Sequence, residues 1–227
     1  MKLNWMTRTR WKAPALALAF AVSGVSEITL QAGEKALFET DFEKAEPGTV
    51  PDEFLVLDGG FAVKEADGNR FLELPGAPLS SFGFLFGPAE KSGLEVSARI
   101  QAEGRGRRYP AFGIGLNGVV GYRLSVAPAK QALELYKGDA VEASVPLNWE
   151  SGSWTRLRLQ VREAGEGVWM VEGRVWRDGQ PEPERWMITW EEKQEPINGR
   201  ASAWGSPYSG RPIRYDDLVV GRAESNR

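Results

Sequence analysis

The 227-residue chain contains neither cysteine nor histidine. The first absence excludes disulfides, thiolate nucleophiles, zinc–cysteine sites and iron–sulfur clusters. The second removes Ser-His-Asp and Cys-His triads, imidazole acid–base catalysis and His-ligated metals. Chemistry is left to carboxylates, Lys, Arg, Tyr, Ser and Thr, or to a metal held by oxygen. No stretch after the N-terminus shows the period of an amphipathic helix or the length of a membrane span. What the chain does have is glycine (26), proline (14) and tryptophan (9). That composition implies many tight turns and a β-rich body.

Residues 1–26 read as a secretory signal peptide. Lys2, Arg8, Arg10 and Lys12 give a basic n-region. Ala13 to Val22 is an apolar h-region too short to cross a bilayer, and Gly24 and Ser26 suit a cleavage site, with Ala32 a later option. An uncleaved N-terminal anchor is the alternative. On the leader reading, residues 27–227 form one secreted or periplasmic, cell-envelope domain. Loss of those four cations leaves 24 basic against 31 acidic residues, a net charge of −7. Such a surface offers no basic stripe for nucleic acid. A core of this size needs no disulfides.

The rest of the chain is a succession of short alternating runs separated by Gly, Pro, Asn or Asp. Fifteen strands are expected between residues 36 and 221, beginning with 36–43 and including 120–127, 132–137, 154–163, 168–177, 185–191, 199–204 and 213–221. Leu94, Val96, Ala98 and Ile100 alternate with Glu95, Ser97, Arg99 and Gln101. Leu157, Leu159 and Val161 alternate with Arg156, Arg158, Gln160 and Arg162. This period of two predicts one buried and one wet face. Turns fall at Asp58-Gly59-Gly60, Asp67-Gly68-Asn69, Asn117-Gly118, Lys137-Gly138-Asp139 and Asp178-Gly179. The Pro-rich piece 181–183 reads as one turn. The fold class is therefore all-β, one large sandwich of two antiparallel sheets.

Four segments carry a resemblance. Phe38-Glu39-Thr40-Asp41-Phe42 looks like an F-x-x-D-F opening strand, and Gly152-Ser153-Trp154-Thr155-Arg156-Leu157-Arg158-Leu159 like a G-x-W-x-x-L-x-L strand. Gly173 to Trp186 looks like a bacterial module branch, and Tyr215-Asp216-Asp217-Leu218-Val219-Val220 like a closing Y-D-D strand. Together they resemble the concanavalin A-like lectin/glucanase superfamily, which includes legume lectins, laminin-G modules, family 16 glycoside hydrolases and 3-keto-disaccharide hydrolase domains. The resemblance implies a jelly roll and sugar-related work. It does not specify a reaction, because this fold carries binders, enzymes and spacers alike.

Three constellations are candidates for function. Glu39, Asp41 and Glu43 form an E-x-D-x-E, which on one strand would share a face at about 6.5–7 Å spacing. Similarity to family 16 would make Glu39 the nucleophile, Asp41 its helper and Glu43 the acid/base, although here the trio stands at the chain's start without flanking aromatics. The plain alternative is a wet acidic face. Asp216 and Asp217 are adjacent on a strand, so one must point inward and needs a partner. With Asp41 on a neighbouring first strand they would suit a structural Ca2+, which takes oxygen ligands only; an arginine partner is the alternative. No organic cofactor is implied.

Sugars are held by aromatic faces with polar neighbours. Trp204, Tyr208 and Arg211 lie in an aromatic loop, and Glu172, Arg174 and Trp176 share one strand face, opposite Trp169, Val171 and Val175. These six are the candidate glycan contacts; Trp154, Trp169 and Trp186 read as core. Gly104-Arg105-Gly106-Arg107-Arg108 reads as a solvated hairpin tip. Gly113-Ile114-Gly115 is no nucleotide fingerprint, since no helix follows. The leading expectation is a non-catalytic carbohydrate-binding module. The alternatives are a carboxylate glycoside hydrolase or keto-sugar hydrolase/lyase, and an envelope interaction module with a protein partner.

Overall fold

The computed structural model describes residues 36–223; the expected leader lies outside the described residues. All fifteen expected strands are present, with bounds shifted by a few residues. In chain order they are β1 (Phe38–Thr40), β2 (Leu55–Asp58), β3 (Ala62–Ala66), β4 (Asn69–Leu74), β5 (Phe82–Glu90), β6 (Leu94–Gln101), β7 (Ala111–Leu116) and β8 (Tyr122–Ala127). They continue as β9 (Ala132–Lys137), β10 (Ala140–Pro146), β11 (Trp154–Gly165), β12 (Val168–Arg177), β13 (Ile188–Glu192), β14 (Gly199–Ser206) and β15 (Ile213–Arg222). A single 3₁₀ turn, Pro128–Lys130, separates β8 from β9.

The strands form two antiparallel sheets. One runs β13-β12-β11-β6-β15-β4-β3, with β1 added against β15, and has eight strands; the other runs β10-β9-β8-β7-β14-β5-β2 and has seven. The first and last strands are neighbours, as expected, with Phe38 opposite Val220. Alternation sets which side chains meet between the sheets. Leu94, Val96, Ala98 and Ile100 of β6 are all buried, as are Leu157, Leu159 and Val161 of β11. They face Phe84, Phe86, Phe112, Ile114, Leu124 and Leu135 from the second sheet. Each such large apolar side chain contributes about 1.5–3 kcal/mol on burial. One end of the core is aromatic: Phe61 meets Phe84 edge-on at 5.0 Å, and Phe42 stacks on Phe54 at 5.6 Å.

Four local expectations are corrected. The strand expected over 36–43 stops at Thr40, because Phe42 takes a left-handed conformation (φ 57°) that drives its ring into the core. Second, Asp216 and Asp217 do not point to opposite faces. A bulge sets Asp217 and Leu218 opposite Ala98 alone, with Asp217 at φ 47°. Both carboxylates consequently reach arginines on the outer face of the eight-stranded sheet.

Third, that outer face is not wet throughout. Gln160, Glu172 and Arg174 are buried, and the segment after β12 folds back onto Arg174. Residues 181–183 are part of that cover rather than one turn: Glu182 pairs with Arg158 and Arg174, and the Pro183 carbonyl accepts from Arg174 Nη1 at 3.0 Å. Fourth, Trp154 and Trp186 are not core. Trp186 precedes β13 and lies over the Arg174 guanidinium at 4.1 Å. Trp154 lies over Arg99 at 4.5 Å and against Phe71. Both indoles lie on the outer side, where arginine planes give them a surface to stack on.

Candidate functional site

A groove of about 300 Å³ opens on the outer face of the seven-stranded sheet. Register builds it. On this face Trp204 of β14 stands beside Gly113 of β7, Gly113 beside Ser125 of β8, and Ser125 beside Glu134 of β9. Between the tryptophan and the glutamate, the row therefore carries only Gly113 and Ser125, which leaves room for a ligand. The next row sets Arg123 opposite Tyr136. Trp204 turns toward β5: a Cβ on Gly83 would come within 2.6 Å of its ring, so only glycine lets the indole lie down there. Its Nε1 donates to Ser202 Oγ at 2.9 Å, which fixes the ring's tilt.

The polar side of the groove is a short network. Lys130 Nζ donates to both Glu134 oxygens at 2.9 and 3.1 Å, and the Tyr136 hydroxyl donates to Glu134 Oε2 at 2.7 Å. Burial and the bond to Glu134 push the Tyr136 phenol pKa up, so its proton stays in place. The bond to Glu134 also raises the Lys130 pKa. The Arg123 guanidinium lies over the Tyr136 ring at 4.7 Å and the Trp204 ring at 5.4 Å. At the rim, Ser81 Oγ lies 2.7 Å from Ser206 Oγ and 3.3 Å from the Tyr208 hydroxyl. Tyr109 completes the lining.

Of the six candidate glycan contacts, Trp204 and Tyr208 line this groove. Arg211 lies in a separate hollow with Gln101, Glu103 and Arg214. Glu172, Arg174 and Trp176 belong to the other sheet. There Glu172 pairs with Arg162 at 2.8 Å, and Arg174 is held by Glu182 and Trp186. The groove residues that sequence reasoning passed over are Arg123, Glu134, Tyr136 and Lys130. For Arg123, Glu134 and Tyr136 the only signal was polar or aromatic residues at alternate positions on two consecutive strands; Lys130 stands in the turn between them.

Glu39, Asp41 and Glu43 are all exposed, and the early end of β1 denies them a common strand face. Asp41 caps its own turn by accepting from the Glu43 N–H at 3.1 Å. Glu43 accepts from the Arg70 N–H at 2.9 Å. Asp216 accepts from Asn69 Nδ2 (2.9 Å), from Arg99 and from the Asp217 N–H (2.8 Å); Asp217 accepts from Arg156 Nη2 at 2.8 Å. These residues do not fit a calcium site: two guanidinium groups occupy the carboxylates a cation would need. Among the described residues no three acids come together to hold a metal. Arg105, Arg107 and Arg108 form an exposed tip, closed by an Arg105–Arg108 bridge, that leads into Tyr109.

The geometry matches known folds rather than known sequences. No protein-family model matches the chain, and no curated protein matches it in sequence. Among solved structures it is similar to a galectin-like protein of unknown function from Bacillus subtilis (TM-score 0.56, 14% identity, 85% of this chain and 99% of that one). The chain has a concanavalin A-like jelly-roll fold. It is likewise similar to the carbohydrate binding module CBM66 from Bacillus subtilis (TM-score 0.51, 12% identity, 75% of this chain and 96% of that one). A third match is the catalytic domain of a glycoside hydrolase family 131 protein from Coprinopsis cinerea (TM-score 0.52, 7% identity, 85% and 96%). The jelly roll thus serves carbohydrate binders and catalytic domains among its neighbours. No helix among the described residues is long and apolar enough to cross a membrane.

Proposed function

We propose that this chain is an exported, non-catalytic carbohydrate-binding module whose site is the groove between Trp204 and Tyr136. One observation carries the reading. The groove gathers Trp204, Tyr136, Tyr208 and Tyr109 around Arg123, Ser125 and Ser206. Aromatic faces accept the C–H surface of a sugar ring, while the guanidinium and hydroxyls bond its hydroxyl groups. The carbohydrate-binding neighbour with the same fold supports it. Export rests on the basic and apolar leader expected over residues 1–26.

Hydrolysis by a carboxylate pair finds less support at this place. The groove has one carboxylate, Glu134, already engaged by Lys130 and Tyr136, whereas glycosidases place two carboxyls across the scissile bond. The test is a glycan array probed with the wild-type chain, Trp204→Ala and Tyr136→Ala. Wild type binding one glycan class, with both variants weakened at least about tenfold, is the expected outcome. Failure of the wild type to bind any glycan, or release of reducing ends from a bound one, overturns the proposal.

A further inference from the structure

Arg123 stands apart from the other interior arginines, which meet carboxylates or, for Arg200, the backbone carbonyls of Gly87 and Glu53. Arg99, Arg156, Arg158, Arg162 and Arg174 each meet a carboxylate on the opposite face of the molecule. Arg123 is half-buried and has the two aromatic rings as its neighbours, with no carboxylate against it among the described residues. The one acid in the groove does not serve it, since Glu134 is neutralised by Lys130. The chain as a whole is acidic, with a net charge of −3. A lone guanidinium at the centre of a groove is therefore a local inversion of charge. The tip that leads into the groove residue Tyr109 has the same sign: Arg105, Arg107 and Arg108 are exposed and have no acid partner among the described residues.

The two rings lie against the guanidinium, and the N–H groups of its edge have no hydrogen-bond acceptor among the described residues. That edge matches the planar pair of oxygens of a carboxylate, and a charged acceptor roughly doubles the strength of such a bond. A neutral hydroxyl uses only part of it. We infer that the groove recognises an acidic sugar, a uronic acid residue whose carboxylate receives the N–H edge of Arg123 while the ring rests against Trp204. The basic tip attracts the further carboxylates of a polyuronate chain. This deepens the carbohydrate-binding reading and rests on it.

The test is titration calorimetry on the full chain with matched probes. They are oligogalacturonate, its methyl ester (the same sugar without the charge), a sulfated galactan oligosaccharide and neutral xylo-oligosaccharides. Wild type is expected to bind the uronate oligomer at least about tenfold more tightly than the ester, and less tightly as salt rises. Arg123→Gln should abolish that preference with its melting temperature unchanged, and Arg123→Lys should restore only part of it. Replacing Arg105, Arg107 and Arg108 by Gln should lower the salt dependence and weaken low-salt binding of the longer oligomers, while the preference for acid over ester persists. Equal binding of acid and ester, preference for the sulfated probe, or discrimination surviving in Arg123→Gln overturns the acidic-sugar inference. In those cases a loss of binding in Trp204→Ala would still uphold a carbohydrate site. No binding of any probe, confirmed on the array, overturns both.

Discussion

The outer faces of the two sheets solve the same problem in opposite ways. Both carry charged and aromatic side chains on strands whose inner faces are mostly apolar. On the eight-stranded sheet these groups are ion-paired with one another. Arg99 reaches Asp216, Asp217 and Asp178; Arg156 reaches Asp178 and Asp217; Glu182 bridges Arg158 and Arg174. Trp154 and Trp186 close over the guanidinium planes. On the seven-stranded sheet the row is left open at Gly113 and Ser125, and one arginine has rings but no acid. Polar groups on a strand indicate function only when they are left incomplete. Completed, they are structure.

The largest effect should come from breaking the completed face. Asp216→Ala strips Asn69, Arg99 and the Asp217 N–H of a shared buried acceptor. Arg99 keeps Asp217 and Asp178. Donors left unsatisfied at about 1 kcal/mol or more each set the loss at about 3 kcal/mol. Urea unfolding should show that fall, while the same experiment on Arg123→Gln should show a change within about 0.5 kcal/mol. Similar losses in both variants would erase the distinction between the faces.

Packing beneath the groove comes next. Tyr215 of β15 spans the core and ends against Gly205 of β14, where an added Cβ would lie 2.0 Å from its hydroxyl. That hydroxyl has no hydrogen-bond partner among the described residues and is wholly buried, which also pushes its pKa up. Gly205→Ala should destabilise by about 2 kcal/mol through overpacking. Tyr215→Phe should be neutral or stabilising by up to about 1 kcal/mol, and the double variant should recover part of the loss. Thermal melts of the three variants check this; a strongly destabilised Tyr215→Phe would mean that the hydroxyl has a partner after all.

The smallest effect is on pH. Burial of Asp178 opposes its ionisation, but hydrogen bonds and charges from Arg156 and Arg99 outweigh it and hold its carboxyl below the usual range. Glu192 is likewise held down, by Lys137, the Gln194 N–H and Tyr122, against its burial. A carboxyl with a folded pKa below its unfolded value of about 4 binds fewer protons in the native state. Its contribution is complete above about pH 5 and is lost as pH falls through the folded value. The melting temperature should therefore drop in acid, and Asp178→Asn should lower it at neutral pH while flattening the acid limb. An acid limb unchanged by Asp178→Asn would contradict the assignment.

Much of this molecule was legible as pattern. The alternation of Leu94 to Gln101 and of Leu157 to Arg162 marked strands and their inner faces, and fifteen runs became fifteen strands. The aromatic loop at Trp204 and Tyr208 also stood out. What escaped depends on the partner strand. Arg123 and Tyr136 look like ordinary outward residues until register sets them side by side. The bulge at Asp217 and the turn at Phe42 are left-handed conformations of non-glycine residues, which alternation does not reveal. Trp154 and Trp186 appeared to be core because large apolar residues usually are; their arginine partners come from other strands.

Ligand is expected on the face that is left open. The most direct measurement is a side-by-side titration of wild type, Trp204→Ala and Trp176→Ala with the glycan that the array selects. Trp204 belongs to the open groove, and Trp176 belongs to a strand of the closed sheet. Wild type and Trp176→Ala should bind with equal affinity, and Trp204→Ala should lose at least about tenfold. Binding that survives in Trp204→Ala and disappears in Trp176→Ala would contradict that expectation.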